Sequence, residues 1–261
     1  MNIGASTACF YPLETEKALQ EVIDLGFKKT EIFFNTSSEL EPGFVNAMKK
    51  NADENGVEVV SIHPFSSAIE NMCIFGEYQR RFDDFVPLYQ KHFQAAALLG
   101  AKYVVIHGAR DKRKIPLDDD FYFERFMQLV ELGKAEGVTV CQENVHIFKS
   151  QHIDFMKRMR AALKSDFHMV FDIKQSVRAG YNPFDFLEEM KNEIVHVHIS
   201  DNLLPEADCL PPGKGNFDFK RLFNTLENAG YKGDYVIEIY SKGLDVRTEL
   251  EQSKRFFDNL L

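Results

Sequence analysis

Eight times along these 261 residues a short apolar, often β-branched run gives way to a longer stretch whose apolar positions recur at helical spacing. The runs are Asn2 to Thr7, Thr30 to Phe34, Val57 to His63, Ala101 to His107, Val138 to Val145, Phe167 to Asp172, Ile194 to Ile199 and Asp234 to Glu238. The spacing predicts helices over 14–25, 42–55, 77–99, 118–136, 152–163, 183–190, 217–229 and 247–260, with Gly26, Gly56, Gly100 and Gly137 as stops. Strand and helix alternating at about 30-residue intervals, with no linker between, calls for parallel strands joined by helical crossovers. The length matches the roughly 250 residues of one closed barrel, so the expected fold is a single (β/α)8 TIM barrel over 1–261. An open doubly wound sheet is the alternative. It lacks support at the first turn, where GASTACF is not the GxGxxG phosphate loop.

Composition removes several function classes. A net charge of −9 opposes the clustered Lys and Arg that a nucleic-acid partner requires. Cys9, Cys73, Cys141 and Cys209 lie far apart with no CxxC, which argues against a zinc finger or a disulfide framework and fits a reducing cytoplasm. The N-terminus has no basic, then apolar, leader pattern, and no run approaches the ~18 apolar residues of a membrane span. The expectation is a soluble cytoplasmic protein with no membrane partner; a homo-oligomer stays open.

The runs close on polar residues: Glu31, His63, His107, Glu143, Asp172, His198 and Glu238. Singly, each reads most simply as a hydrogen-bonded or solvated turn residue. Together they fall where barrel enzymes keep their chemistry, at the C-terminal strand ends. Alternation places Glu143 over Cys141 and Glu238 over Val236 on one interior face. An ionised carboxylate held out of water needs a cation or several donors. Three carboxylates and an imidazole, Glu143, Asp172, His198 and Glu238, suit one divalent metal ion: manganese, magnesium, cobalt or zinc.

The surrounding residues leave more than one reading. His63 and His107 are candidate substrate hydrogen-bonding groups, further ligands, or satisfied pocket histidines. His196 shares the face of His198 and is expected one layer beneath it. Lys174, Gln175, Arg178 and Lys214 lie just past ligand-bearing runs, placed either to bind hydroxyls, a carboxylate or a phosphate, or to remain in solvent. Asp201 is expected to orient its loop. The basic stretch DKRKIP over 111–116 is either solvated surface or a steering patch for an anionic substrate. Phe10, Tyr11, Phe33, Phe34 and Phe65 either wall the pocket or fill the core.

The polar set, its short ENV, FDI, HxxD and EIY signatures and the PGKG turn at Pro212 to Gly215 resemble the xylose isomerase-like TIM barrel superfamily over essentially the whole chain. That superfamily includes ketose 3-epimerases, inosose and dehydroshikimate dehydratases, and endonuclease IV. The resemblance implies one divalent metal on Glu143, Asp172, His198 and Glu238. It further implies a small sugar or sugar-like polyol as substrate, isomerised or epimerised by proton transfer through a metal-bound enediolate, with Glu143 and Glu238 as acid and base. Among the residues weighed above, His63, His107, Lys174, Gln175 and Lys214 are the candidates for substrate binding.

A dehydratase on the same site is the runner-up, and a binding protein without turnover a further class. Endonuclease IV would need a His three residues after Asp172 and an Asp-x-His in the loop after the seventh run. This chain has Gln175 and Asp208-Cys209-Leu210, so a third zinc site is incomplete. Gln175 also departs from a substrate-binding His of the ketose 3-epimerases.

Overall fold

The computed structural model describes residues 3–112, 116–240 and 245–260. In chain order these form β1 (Ile3–Ser6), α1 (Thr15–Asp24), β2 (Lys29–Phe33), α2 (Pro42–Glu54), β3 (Glu58–His63), α3 (Ser67–Cys73), α4 (Gln79–Leu99), β4 (Tyr103–Ile106), α5 (Asp119–Ala135), β5 (Thr139–Glu143) and α6 (Ile153–Leu163). There follow β6 (Met169–Asp172), α7 (Ile173–Arg178), α8 (Pro183–Met190), β7 (Ile194–Ile199), β8 (Asp201–Leu203), β9 (Ala207–Leu210), α9 (Phe219–Asn228), β10 (Asp234–Ile237) and α10 (Val246–Leu260). Eight of the strands close into a parallel barrel in the order β1-β10-β7-β6-β5-β4-β3-β2. Closure excludes the open doubly wound sheet: β1 pairs with β10, Gly4 opposite Val236.

Helix ends follow the residues that stop them. Gly100 and Gly137 adopt φ of 76° and 77° after α4 and α5, a left-handed conformation that costs glycine nothing and other residues strain. Asp118 caps α5 by accepting from Phe121 N at 3.1 Å. Elements that the periodicity does not announce are short. Helices α3 and α7 span two turns or fewer, too little for a 3.6-residue pattern to register, and the β8–β9 hairpin hangs antiparallel on the loop after β7.

The main apolar core lies between barrel and helices, with fully buried Leu19, Phe34, Phe93, Phe126 and Phe171 among its members. A small separate cluster, Val105, Cys141 and Val170, fills the barrel interior. These three stand two residues before His107, Glu143 and Asp172, so the strand period of 2 lifts the polar side chains onto the layer above them. At the opposite end of the interior Lys29 pairs with Asp234. Among the described residues no helix is long and apolar enough to cross a membrane.

Candidate metal and substrate site

Neighbouring strands bring the predicted ligands together. Glu143 ends β5, Asp172 ends β6, His198 lies on β7 and Glu238 follows β10, and these four strands are consecutive around the barrel. One donor atom from each lies within 4.8 Å of the others, and all four residues are buried. His198 Nδ1 stands 3.2 Å from Glu143 Oε1, 3.5 Å from Glu238 Oε2 and 3.6 Å from Asp172 Oδ2. Its other nitrogen, Nε2, faces Glu31 Oε2 at 3.1 Å. A cation held by the three carboxylates would therefore meet Nδ1, with Nε2–H donated to Glu31.

Glu31 belongs to the layer beneath. It sits inside β2 rather than at its tip, opposite Ser61 in register, and Ser61 Oγ donates to its Oε2 at 2.7 Å while Ser6 Oγ donates to its Oε1 at 3.3 Å. His196 is fully buried in the same layer, its Nε2 3.1 Å from Ser61 Oγ and 3.4 Å from Glu31 Oε2. This network orients His198, the usual task of a carboxylate behind a metal-binding imidazole. The sequence signal for it was a lone acid inside the apolar run TEIFF, on the same strand face as Phe33.

On the other side of Glu143 stand His63, closing β3, and His107, just past β4. His63 Nδ1 faces the Pro64 carbonyl at 3.2 Å; with the proton there, Nε2 carries a lone pair. His107 Nε2 lies 2.9 Å from that nitrogen and 2.9 Å from Glu143 Oε2. Glu143 Oε2 is buried and makes no directed hydrogen bond among the described residues, although His107 Nε2 stands close to it. His63, His107 and Glu143 thus form a second group of converging donor atoms that shares Glu143 with the first. Phe33 borders it, its ring centroid 4.9 Å from that of His63, whereas Phe34 is core and Phe65 packs on His92.

Lys174 enters the cluster itself. It is fully buried, and its ammonium bonds Asp172 and Glu238. Gln175 is nearly buried; its backbone N–H caps to Asp172 Oδ1 and its side-chain oxygen accepts from His146 N, both at 3.0 Å. Lys214 is exposed on the PGKG turn. Asp201 holds that turn, accepting from the N–H groups of Asn202, Gly213, Gly215 and Phe217 at 2.8–3.0 Å. A side chain at Gly215 would collide with Asp201 Oδ1 at 2.4 Å. Arg178 donates to Asp208 at 2.8 Å. Residues 113–115 of the basic run lie outside the described residues.

The charges are strongly coupled. Burial pushes Glu143 upward, but His107, His198 and His63 overcome it and hold the carboxyl well below the usual range. Glu31 follows the same pattern, burial opposed by His198 and His196. Burial wins at Asp172, whose carboxyl is raised despite Lys174 and His198. His198 is held protonated against burial by Glu31 and Glu238. The donor set of three carboxylates and an imidazole, with Glu143 Oε2 lacking a directed hydrogen bond among the described residues, fits a divalent cation; a metal would take the place of that imidazole proton.

Fold and site together define a TIM barrel with its polar cluster at the catalytic end of the strands. The chain belongs to the xylose isomerase-like TIM barrel family, whose model matches residues 19–260. An inosose dehydratase of Clostridium beijerinckii is 24% identical over 85% of this chain and 81% of its own length. In three dimensions the chain is similar to a D-tagatose 3-epimerase-like protein, with TM-score 0.81, 21% identity and coverage of 100% of this chain and 98% of the other. An IolI protein solved with a zinc atom aligns at TM-score 0.78 and 14% identity, covering 100% of this chain and 98% of its own.

Proposed function

We propose that the protein is a divalent-metal-dependent isomerase or epimerase of a small sugar or sugar-like polyol, and that Glu143, Asp172, His198 and Glu238 hold the ion. The observation that carries this reading is the convergence of their four donor atoms within 4.8 Å on consecutive strands. Relatives and fold neighbours named as dehydratases and epimerases support it, as does the zinc in one of them. Manganese, magnesium, cobalt and zinc all suit the donor set. When bound, the ion supplies Lewis acidity toward the oxygens of a hydroxy-ketone, easing loss of the adjacent C–H proton.

The chain's own residues do the rest. Glu143 and Glu238, on opposite sides of the cluster, serve as the paired base and acid on the two faces of the carbon that passes through the enediolate. His63 and His107 meet substrate hydroxyls, Phe33 covers an apolar sugar face, and Gln175 and Lys214 border the mouth. The same reading places the protein in the cytoplasm, with a small molecule and not nucleic acid as its partner.

Protein loaded with manganese and desalted should retain about one ion per chain, and Asp172→Ala should release it while the barrel stays folded. Incubation with hydroxy-ketones in D2O should move deuterium onto substrate carbon. A folded protein that neither binds metal nor exchanges protons would sink the proposal. Likeness to the inosose dehydratase over 85% of the chain supports a second reading, loss of water from the same enolate. A product lighter by one water would select it; unchanged mass selects epimerisation or isomerisation.

A further inference from the structure

Lys174 lies in the first turn of α7, two residues past Asp172, and its side chain turns back into the barrel mouth. Its ammonium bonds one oxygen of Asp172 and one of Glu238. Those are the same two oxygens, Asp172 Oδ2 and Glu238 Oε2, that face His198 Nδ1 at 3.6 and 3.5 Å. An ammonium and a divalent ion compete for these lone pairs, and with water excluded their mutual repulsion at contact distance is poorly screened. The lysine is not a solvated cation at the rim, since it has no exposed surface. Nor is it poised as a Schiff-base nucleophile, which needs a free amine lone pair, because its ammonium is clamped between two carboxylates.

We propose that Lys174 is the chain's own counter-cation for the Asp172–Glu238 edge, and that its ammonium and a divalent ion are mutually exclusive occupants of that edge. The inference rests on the metal-dependent reading above. Glu143, Asp172 and Glu238 lie together, buried, above Glu31, and a cluster so acidic repels itself unless cations sit inside it. Lys174 supplies one. When the ion takes those oxygens, the ammonium leaves them. The way out runs along Tyr240, whose half-exposed ring lies 5.1 Å from Nζ. Metal loading thereby delivers a lysine to the mouth, where it can donate to a substrate oxygen. Holding the mouth together and engaging substrate are then two successive tasks of one side chain.

The test titrates chelator-stripped protein with Mn2+ by calorimetry, comparing wild type, Lys174→Met and Lys174→Arg. Groups adjoining metal ligands change affinity about 10–100-fold, so Lys174→Met should bind tighter by that factor, while Lys174→Arg, which keeps the charge, should bind no tighter than wild type. Equal affinity of wild type and Lys174→Met overturns the competition and leaves the metal-dependent reading standing. Absence of binding in both overturns the two together. An independent readout uses wild type alone: acylation with an amine reagent, read by mass spectrometry, should spare Lys174 in stripped protein and modify it at saturating Mn2+. Equal protection in both states overturns the release, whether or not Lys174→Met folds.

Discussion

Glu31 Oε2 lies 3.1 Å from His198 Nε2, so one carboxylate inside β2 sets the orientation of an imidazole three strands away around the barrel. Without that acceptor, His198 could rotate or change tautomer, and Nδ1 would no longer be fixed toward Glu143, Asp172 and Glu238. Glu31→Ala is expected to weaken metal binding about 10–100-fold. Glu31→Gln, which keeps an acceptor oxygen, should recover part of the loss. Calorimetric titration with Mn2+ measures both; an unchanged affinity in Glu31→Ala would show that the imidazole is held by the strand alone.

Glu143 and Glu238 are assigned the proton transfers, and glutamine at either position retains size and one ligating oxygen while removing the base. Each variant should lose about 10²–10⁴-fold in turnover, with deuterium uptake falling in step. The comparison is made at saturating metal with occupancy determined, because the proposal gives both residues to the ion as well. Normal turnover in both metal-loaded variants would move the proton transfer to His63 or His107.

Abasic duplex DNA should be neither bound nor nicked, even at low salt, where phosphate contacts are strongest. The motivation is local as well as global: the Gln175 amide oxygen is committed to His146 N, Asp208 to Arg178, and the net charge is −9. Efficient cleavage at an abasic site would instead favour an endonuclease IV-like phosphodiesterase.

His92 is a separate handle on acid stability. It is buried among Phe34, Phe65 and Tyr89, with Nδ1 on the Leu88 carbonyl at 2.9 Å and Nε2 unpartnered among the described residues. Burial lowers its pKa to about 4, against 6.5 for the free side chain. Between those values the unfolded chain binds the extra proton. Its contribution is therefore complete above about pH 6.5 and is lost as pH falls toward 4, about 3 kcal/mol in all. His92→Gln, measured by urea unfolding across that range, should show a shallower loss than wild type. Parallel curves would mean that His92 does not titrate on unfolding in this window.

The barrel was legible because its signals are local and repeated. Each strand carries a run of apolar residues and each long helix a stripe and a stop, so Pro183–Met190 is found to the residue and the other long helices within about two residues. The four candidate ligands could be read for the same reason: a strand's period is 2, and the polar residue at its tip inherits the interior face from Cys141, Val170, His196 or Val236. What no local pattern contains is the distance between side chains on different strands. The sequence lists Lys174, Gln175 and Lys214 alike as polar residues past a strand. Only closure of the barrel decides that Lys174 lies buried against Asp172 and Glu238, that Gln175 fastens His146, and that Lys214 stays in solvent. The same holds for Glu31, whose partner His198 is 167 residues away in the chain and 3.1 Å away in space. Hydrophobic periodicity selects the fold, whereas the chemistry of the mouth depends on which charges meet in a volume closed to water, and that is settled by the packing of all eight strands at once.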